Sequence, residues 1–124
     1  MQIQDFIDTI EEWSPPSQAE DFDNVGLLVG DAALSLKGVL ITLDTTEEIV
    51  KEAIEKKCNL IVSFHPIIFA GIKKLTTNSY IEKVVIKAIE NKISIYSIHT
   101  SLDNHKKGVN YKISEKLGLL NSRI

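Results

Sequence analysis

Cysteine is almost missing from this chain of 124 residues: Cys58 stands alone, so no intramolecular disulfide can form and the fold must rest on its core. Long apolar runs are missing too. Nothing approaches the roughly 18 to 20 unbroken apolar residues that a membrane span requires, and the most apolar stretch, IVSFHPIIF, is short and broken by His65-Pro66. Nor is there an excess of basic charge. Lysine and arginine number 14 against 17 carboxylates, giving a net charge of −3, and the basic pairs Lys56-Lys57, Lys73-Lys74 and Lys106-Lys107 are scattered. The electrostatic footprint of a nucleic-acid binder is therefore lacking, and neither nucleic acid nor membrane is expected as a partner. The opening MQIQDFIDTIEEW has no basic n-region and no apolar h-region, which together with the lone cysteine points to a cytoplasmic chain. Cys58, with no second cysteine or ligand pattern near it, reads as a small buried hydrophobe.

What is present suits one domain over residues 1–124. With 44% hydrophobic and 25% charged residues, the chain has enough apolar material to bury a core. Ile3, Phe6, Ile7 and Ile10 recur at helical spacing, and Pro15-Pro16 ends that helix. DFDNVGLLVGD reads as a short strand bracketed by turns at Gly26 and Gly30. Strands then follow over residues 38–44, 59–65 and 93–99, alternating with helices over 45–57, 79–92 and 108–118, the last ended by Gly118. The Thr45 to Glu48 spacing predicts a capping box. Ile49, Val50, Ala53 and Ile54 should form one buried helix face, and Ile81, Val84, Val85, Ala88 and Ile89 another.

Alternating strands and helices predict an α/β layered domain, a mostly parallel sheet flanked by helices. In such sheets ligands bind beyond the carboxyl ends of the strands. Asp44, His65 and His99 each fall at that end of their own strand, and Asp103 follows His99 by four residues. Imidazole and carboxylate suit a divalent first-row cation, so His65, His99 and Asp103 form a candidate ligand set. The pattern also admits a plainer reading, in which strand-end histidines bond neighbouring backbone and the carboxylates cap helices. Asp44 reads as a cap or as a partner orienting a ligand. His105 reads as a solvated loop residue. No phosphate-binding glycine loop, nucleophile elbow or Cys-His arrangement is present, and no catalytic residue is singled out.

FDNVGLLVGD, LDTTEEIVKEA, SFHPIIF and HTSLDNHKKGVN, in this order and at these intervals, resemble the NIF-three-like family, also known as GTP cyclohydrolase 1 type 2. The resemblance runs along the whole chain and corresponds to the N-terminal half of the family pattern. It implies an α/β domain that assembles into a toroidal homohexamer around dinuclear metal centres, with metal-dependent hydrolase activity. The ligands of that family come from a His-His-Pro motif, the aspartate of His-Thr-x-x-Asp, and a C-terminal His-x-x-x-Glu. His65 matches the second histidine of the first motif and Asp103 the aspartate of the second, both as metal ligands. His99 matches the histidine ahead of that aspartate, at the site as a ligand or a supporting group. Phe64 stands where the first histidine belongs, and no His-x-x-x-Glu follows before Ile124.

Two functional expectations result. One is a divalent-metal-binding domain of a hydrolase, taking zinc, iron, manganese or magnesium at an incomplete site; the other is a non-catalytic relative serving as a binding or assembly module, with no metal. Self-association into a homo-oligomer is expected in both, since half of a family pattern should leave apolar surface uncovered. A small-molecule or nucleotide substrate is implied by the family name alone.

Overall fold

A strand with no solvent-facing position must lie inside a sheet covered on both sides, and Leu60–Ser63 and Ser94–Ser97 are buried at all their positions. In a computed structural model, which describes residues 1–121 and 123, they are the two inner strands of a four-stranded sheet. The strands are β1 (Gly26–Val29), β2 (Val39–Thr42), β3 (Leu60–Ser63) and β4 (Ser94–Ser97), in the order β1-β4-β3-β2. β2, β3 and β4 run parallel, and β1 pairs antiparallel with β4. The fold is the predicted α/β layered arrangement with a mostly parallel sheet.

Pleating sorts the strand residues between two cores. Val29, Ile61 and Ile95 face the helices α2 (Glu47–Glu55) and α3 (Tyr80–Glu90), where Val50, Ala53, Val84, Val85 and Ala88 meet them. Leu60, Val62 and Tyr96 face the other way, onto Ile3 and Ile7 of α1 (Ile3–Trp13). Tyr96 is fully buried, and its hydroxyl donates to Glu11 Oε1 at 3.2 Å; burial and that neighbouring negative charge push the phenol's pKa up. Two short helices complete the chain, α4 (His99–Asp103) and α5 (Val109–Leu117), the latter closed by Gly118 in the left-handed conformation.

Several local expectations need correction. α2 is capped by Thr46, whose Oγ1 accepts from Ile49 N at 3.3 Å, and not by Thr45. Thr46 has the extended backbone of a cap, while Thr45 is buried and its hydroxyl has no hydrogen-bond partner among the described residues. Ile54 and Ile89, placed on the buried helix faces, are 38% and 51% exposed. Each directly follows a fully buried alanine, Ala53 or Ala88, by about 100° of helical rotation, which carries it off the contact stripe. Cys58 is half-buried at the rim of the α2–α3 core rather than inside it, because it leaves the end of α2 just before β3 begins.

The turns at Gly26 and Gly30 are as expected, with φ of +100° and +104°. At Gly30 a Cβ would also fall 2.6 Å from Ser94 Cα, so β1 can approach β4 only with glycine there. The sheet is finished unevenly: on edge strand β2, Ile41 is 80% exposed. Ile61→Ala should therefore lower stability by about 2–5 kcal/mol, whereas Ile41→Ala should change it by less than about 0.5 kcal/mol. Urea unfolding midpoints of the two variants check this contrast.

Candidate metal centre

Register puts two histidines side by side. Ser63 pairs with Ser97 at the carboxyl ends of β3 and β4, so residues two further along each chain, His65 and His99, are also neighbours. The backbone ladder continues past the strands: Phe64 N donates to Thr42 O at 3.1 Å, His65 N to Leu43 O at 3.0 Å, Ile98 N to Ser63 O at 3.1 Å and His99 N to Phe64 O at 3.0 Å. Two fully buried serines tie down the carbonyls where the strands end. Ser63 Oγ donates to His65 O and Ser97 Oγ to Phe64 O, both at 2.9 Å. The imidazole centroids lie 5.5 Å apart, and Phe64 packs edge-on against both rings at 5.1 and 5.4 Å.

Each imidazole has its own carboxylate. His65 Nδ1 donates to Asp44 Oδ1 at 2.7 Å on the exposed side of the pair, and His99 Nδ1 donates to Asp23 Oδ1 at 2.8 Å on the inner side. An ionised carboxylate only accepts, so a proton belongs on Nδ1 in both rings, and in the neutral form of each ring Nε2 is the nitrogen that keeps the lone pair. Neither Nε2 makes a hydrogen bond among the described residues. This is how a carboxylate prepares a histidine to bind a cation.

Asp23 is the residue that sequence reasoning missed. Its side chain is 0% exposed against 19% for His99, and it also accepts from Thr100 N at 3.1 Å and from the Thr100 hydroxyl. Burial raises the Asp23 pKa, but the hydrogen bonds from His99 and Thr100 outweigh it and hold the carboxyl below its ordinary 3.8. The only signal in the sequence was an acid ahead of Gly26, and its partners lie 76 and 77 residues away.

The other expected residues fall as follows. Asp44 is the orienting partner of His65 and does not cap α2. His99 is not extended: it opens α4 with φ +26°, at the point where Asp23 gathers His99 and Thr100. Asp103 is the last residue of α4, half-buried, and its backbone carbonyl accepts from Asn110 Nδ2 at 3.2 Å. His105 is half-buried rather than solvated, with its ring 5.6 Å from that of Trp13.

The sequence model of the Duf34/NIF3 (NGG1p interacting factor 3) family matches residues 1–124. The chain belongs to the NIF3 family. A GTP cyclohydrolase 1 type 2 homolog of Clostridium acetobutylicum is 43% identical over 124 residues, which are 100% of this chain and 46% of the relative. A Bacillus cereus protein related to NIF3 superposes with a TM-score of 0.93 at 38% identity, over 100% of this chain and 34% of its own. Reduced HcgD from Methanocaldococcus jannaschii superposes at 0.91 with 32% identity, over 99% and 49%. The chain thus spans half or less of these NIF3 proteins.

Tested against the metal the family implies, the donor set fits in part. Two imidazoles held through Nδ1 by carboxylates are the right donor type, and rings about 5 to 6 Å apart at their centres can share one ion with metal–nitrogen bonds of about 2.0–2.1 Å. Among the described residues, however, no three His, Cys, Asp or Glu side chains stand close enough together to hold an ion, so Asp103 does not close a triad with His65 and His99.

Removing the inner carboxylate should be costly. Asp23→Ala strands the His99 and Thr100 donors and should lower stability by about 1–3 kcal/mol at neutral pH. Because the folded pKa of Asp23 is depressed, its contribution is fully present above 3.8 and is lost as pH falls through the lower folded value. Asp23→Asn should accordingly show a shallower loss of stability than the parent between neutral pH and about pH 3, measured by urea unfolding.

Proposed function

We propose that this chain supplies the histidine half of a divalent-metal centre of the NIF3 type, one completed by donors beyond the His65–His99 pair. The observation that supports the reading is the double arrangement itself: two adjacent imidazoles at the carboxyl ends of parallel strands, each with Nδ1 bonded to a carboxylate and Nε2 free. His65 and His99 would hold the cation, Asp44 and Asp23 would keep their tautomers, and the remaining ligands would come from elsewhere, since Asp103 at the end of α4 does not stand close enough to the pair. Among zinc, iron, manganese and magnesium, imidazole donors favour zinc or iron over magnesium. When bound, such an ion supplies a Lewis acid and a water of lowered pKa, the chemistry of metal-dependent hydrolysis. Related proteins named GTP cyclohydrolase 1 type 2 homologs support a hydrolase acting on a small molecule or nucleotide as the activity of the whole protein.

One observation favours a second reading. Phe64 occupies the position of the first histidine of the His-His-Pro motif and presses on both imidazoles, which dries the space that a second ion would need. A non-catalytic NIF3 member that keeps the fold and its assembly contacts would look the same. Self-association belongs to both readings, because Ile41 and Leu43 stand exposed at the β2 edge. A single monomeric mass by light scattering at micromolar concentration would contradict it. No helix among the described residues is long and apolar enough to cross a membrane.

Zinc retention separates the two readings. Protein dialysed with zinc and then gel-filtered should keep close to one equivalent by elemental mass spectrometry, and His65→Ala and His99→Ala should each abolish it. Asp44→Asn should weaken the site by about 10–100-fold, since it disturbs only the orientation of His65. Zinc-free parent protein with an intact fold would sink the metal reading and leave the non-catalytic one.

A further inference from the structure

At the opposite end of the sheet, the loops entering β2, β3 and β4 line an open cleft of about 550 Å³, within the size range of small-molecule sites. Lys37, Lys57 and Lys92 line it, one ahead of each parallel strand, and no carboxylate does. None of the three makes an ion pair among the described residues. Leu34, Ile54 and Ile93 supply apolar wall between them.

Two of these lysines sit where a lysine is awkward. α2 and α3 end in the same way, Cys58 N donating back to Ala53 O at 2.8 Å and Ile93 N to Ala88 O at 2.9 Å, which forces the residue just before into the left-handed conformation. Those residues are Lys57 at φ 58° and Lys92 at φ 54°. Glycine is the usual occupant of this position, and the chain does place Gly118 there, at φ 69°, after α5. A charge meant only to complement a helix end could stand one residue earlier without strain, as Lys56 does. The strain is accepted twice, both times beside this cleft. The two helix ends bring roughly half a negative charge each, which leaves about two net positive charges facing the cleft.

We propose that this cleft binds a small organic phosphate, its oxygens held by Lys37, Lys57 and Lys92 and its apolar part lying against Leu34, Ile54 and Ile93. Bound from the amino ends of the strands, the ligand would not touch His65 or His99, so the site stands independently of the metal.

Phenyl phosphate is the probe, titrated into the 124-residue chain in metal-free buffer at constant ionic strength and followed by amide NMR. Saturable shifts should appear at the amides of residues 37, 57, 58 and 92, with none at 65 or 99. Lys57→Gly with Lys92→Gly should weaken binding at least tenfold while leaving Tm equal or higher, because glycine relieves the left-handed strain. Lys37→Gln removes charge away from both helix ends and should weaken binding as well. Shifts no larger than sodium chloride produces at the same ionic strength would overturn the proposal, and so would a double-glycine variant that binds within twofold of the parent.

Discussion

The parallel, in-register pairing of β3 with β4 is the constraint on which the rest depends. Both strands are buried throughout, so neither can slip without turning apolar side chains into the opposite core or exposing them. That register aligns Ser63 with Ser97, and the hydrogen bonds beyond it carry the alignment on to His65 and His99. The hydrophobic sorting that stabilises the sheet therefore also sets the spacing of the imidazoles. Packing and chemistry share one cause here: a substitution that loosened the β3–β4 register would move the candidate ligands apart without touching either of them.

The two histidines are neighbours but not equivalents. His65 and Asp44 meet at the open rim, in water, where a bond between them contributes little to stability. His99 and Asp23 meet inside, and Asp23 has a second duty in holding Thr100 and so the start of α4. Phe64 lies between the two arrangements, in edge contact with each ring. Its apolar ring fills space beside both imidazoles where another histidine would have placed a further donor nitrogen.

Sequence patterning revealed the layers because burial acts on every residue of an element: alternation of apolar strands with helical stripes at Val50, Ala53, Val84 and Ala88 leaves few alternatives. The strand-end location of His65, His99 and Asp44 was legible for the same reason, as a consequence of topology. What patterning could not show were contacts set by single loops. Asp23 meets His99 because the chain ahead of β1 folds over the end of β4, and no periodicity encodes that meeting. The choice of Thr46 over Thr45 as cap turns on one residue's backbone angles, and the antiparallel course of β1 on the turns at Gly26 and Gly30. The left-handed lysines were equally hidden, since Lys56-Lys57 reads in sequence as an ordinary charged helix end.

The central claim is that two carboxylate-held imidazoles of this NIF3 chain can share a single ion. Anomalous diffraction from crystals grown with zinc, collected on both sides of the zinc edge, tests it most directly. The account predicts one peak at about 2.0–2.1 Å from Nε2 of both His65 and His99. A peak on only one of the two rings, or bonded through Nδ1 with its aspartate displaced, would contradict it.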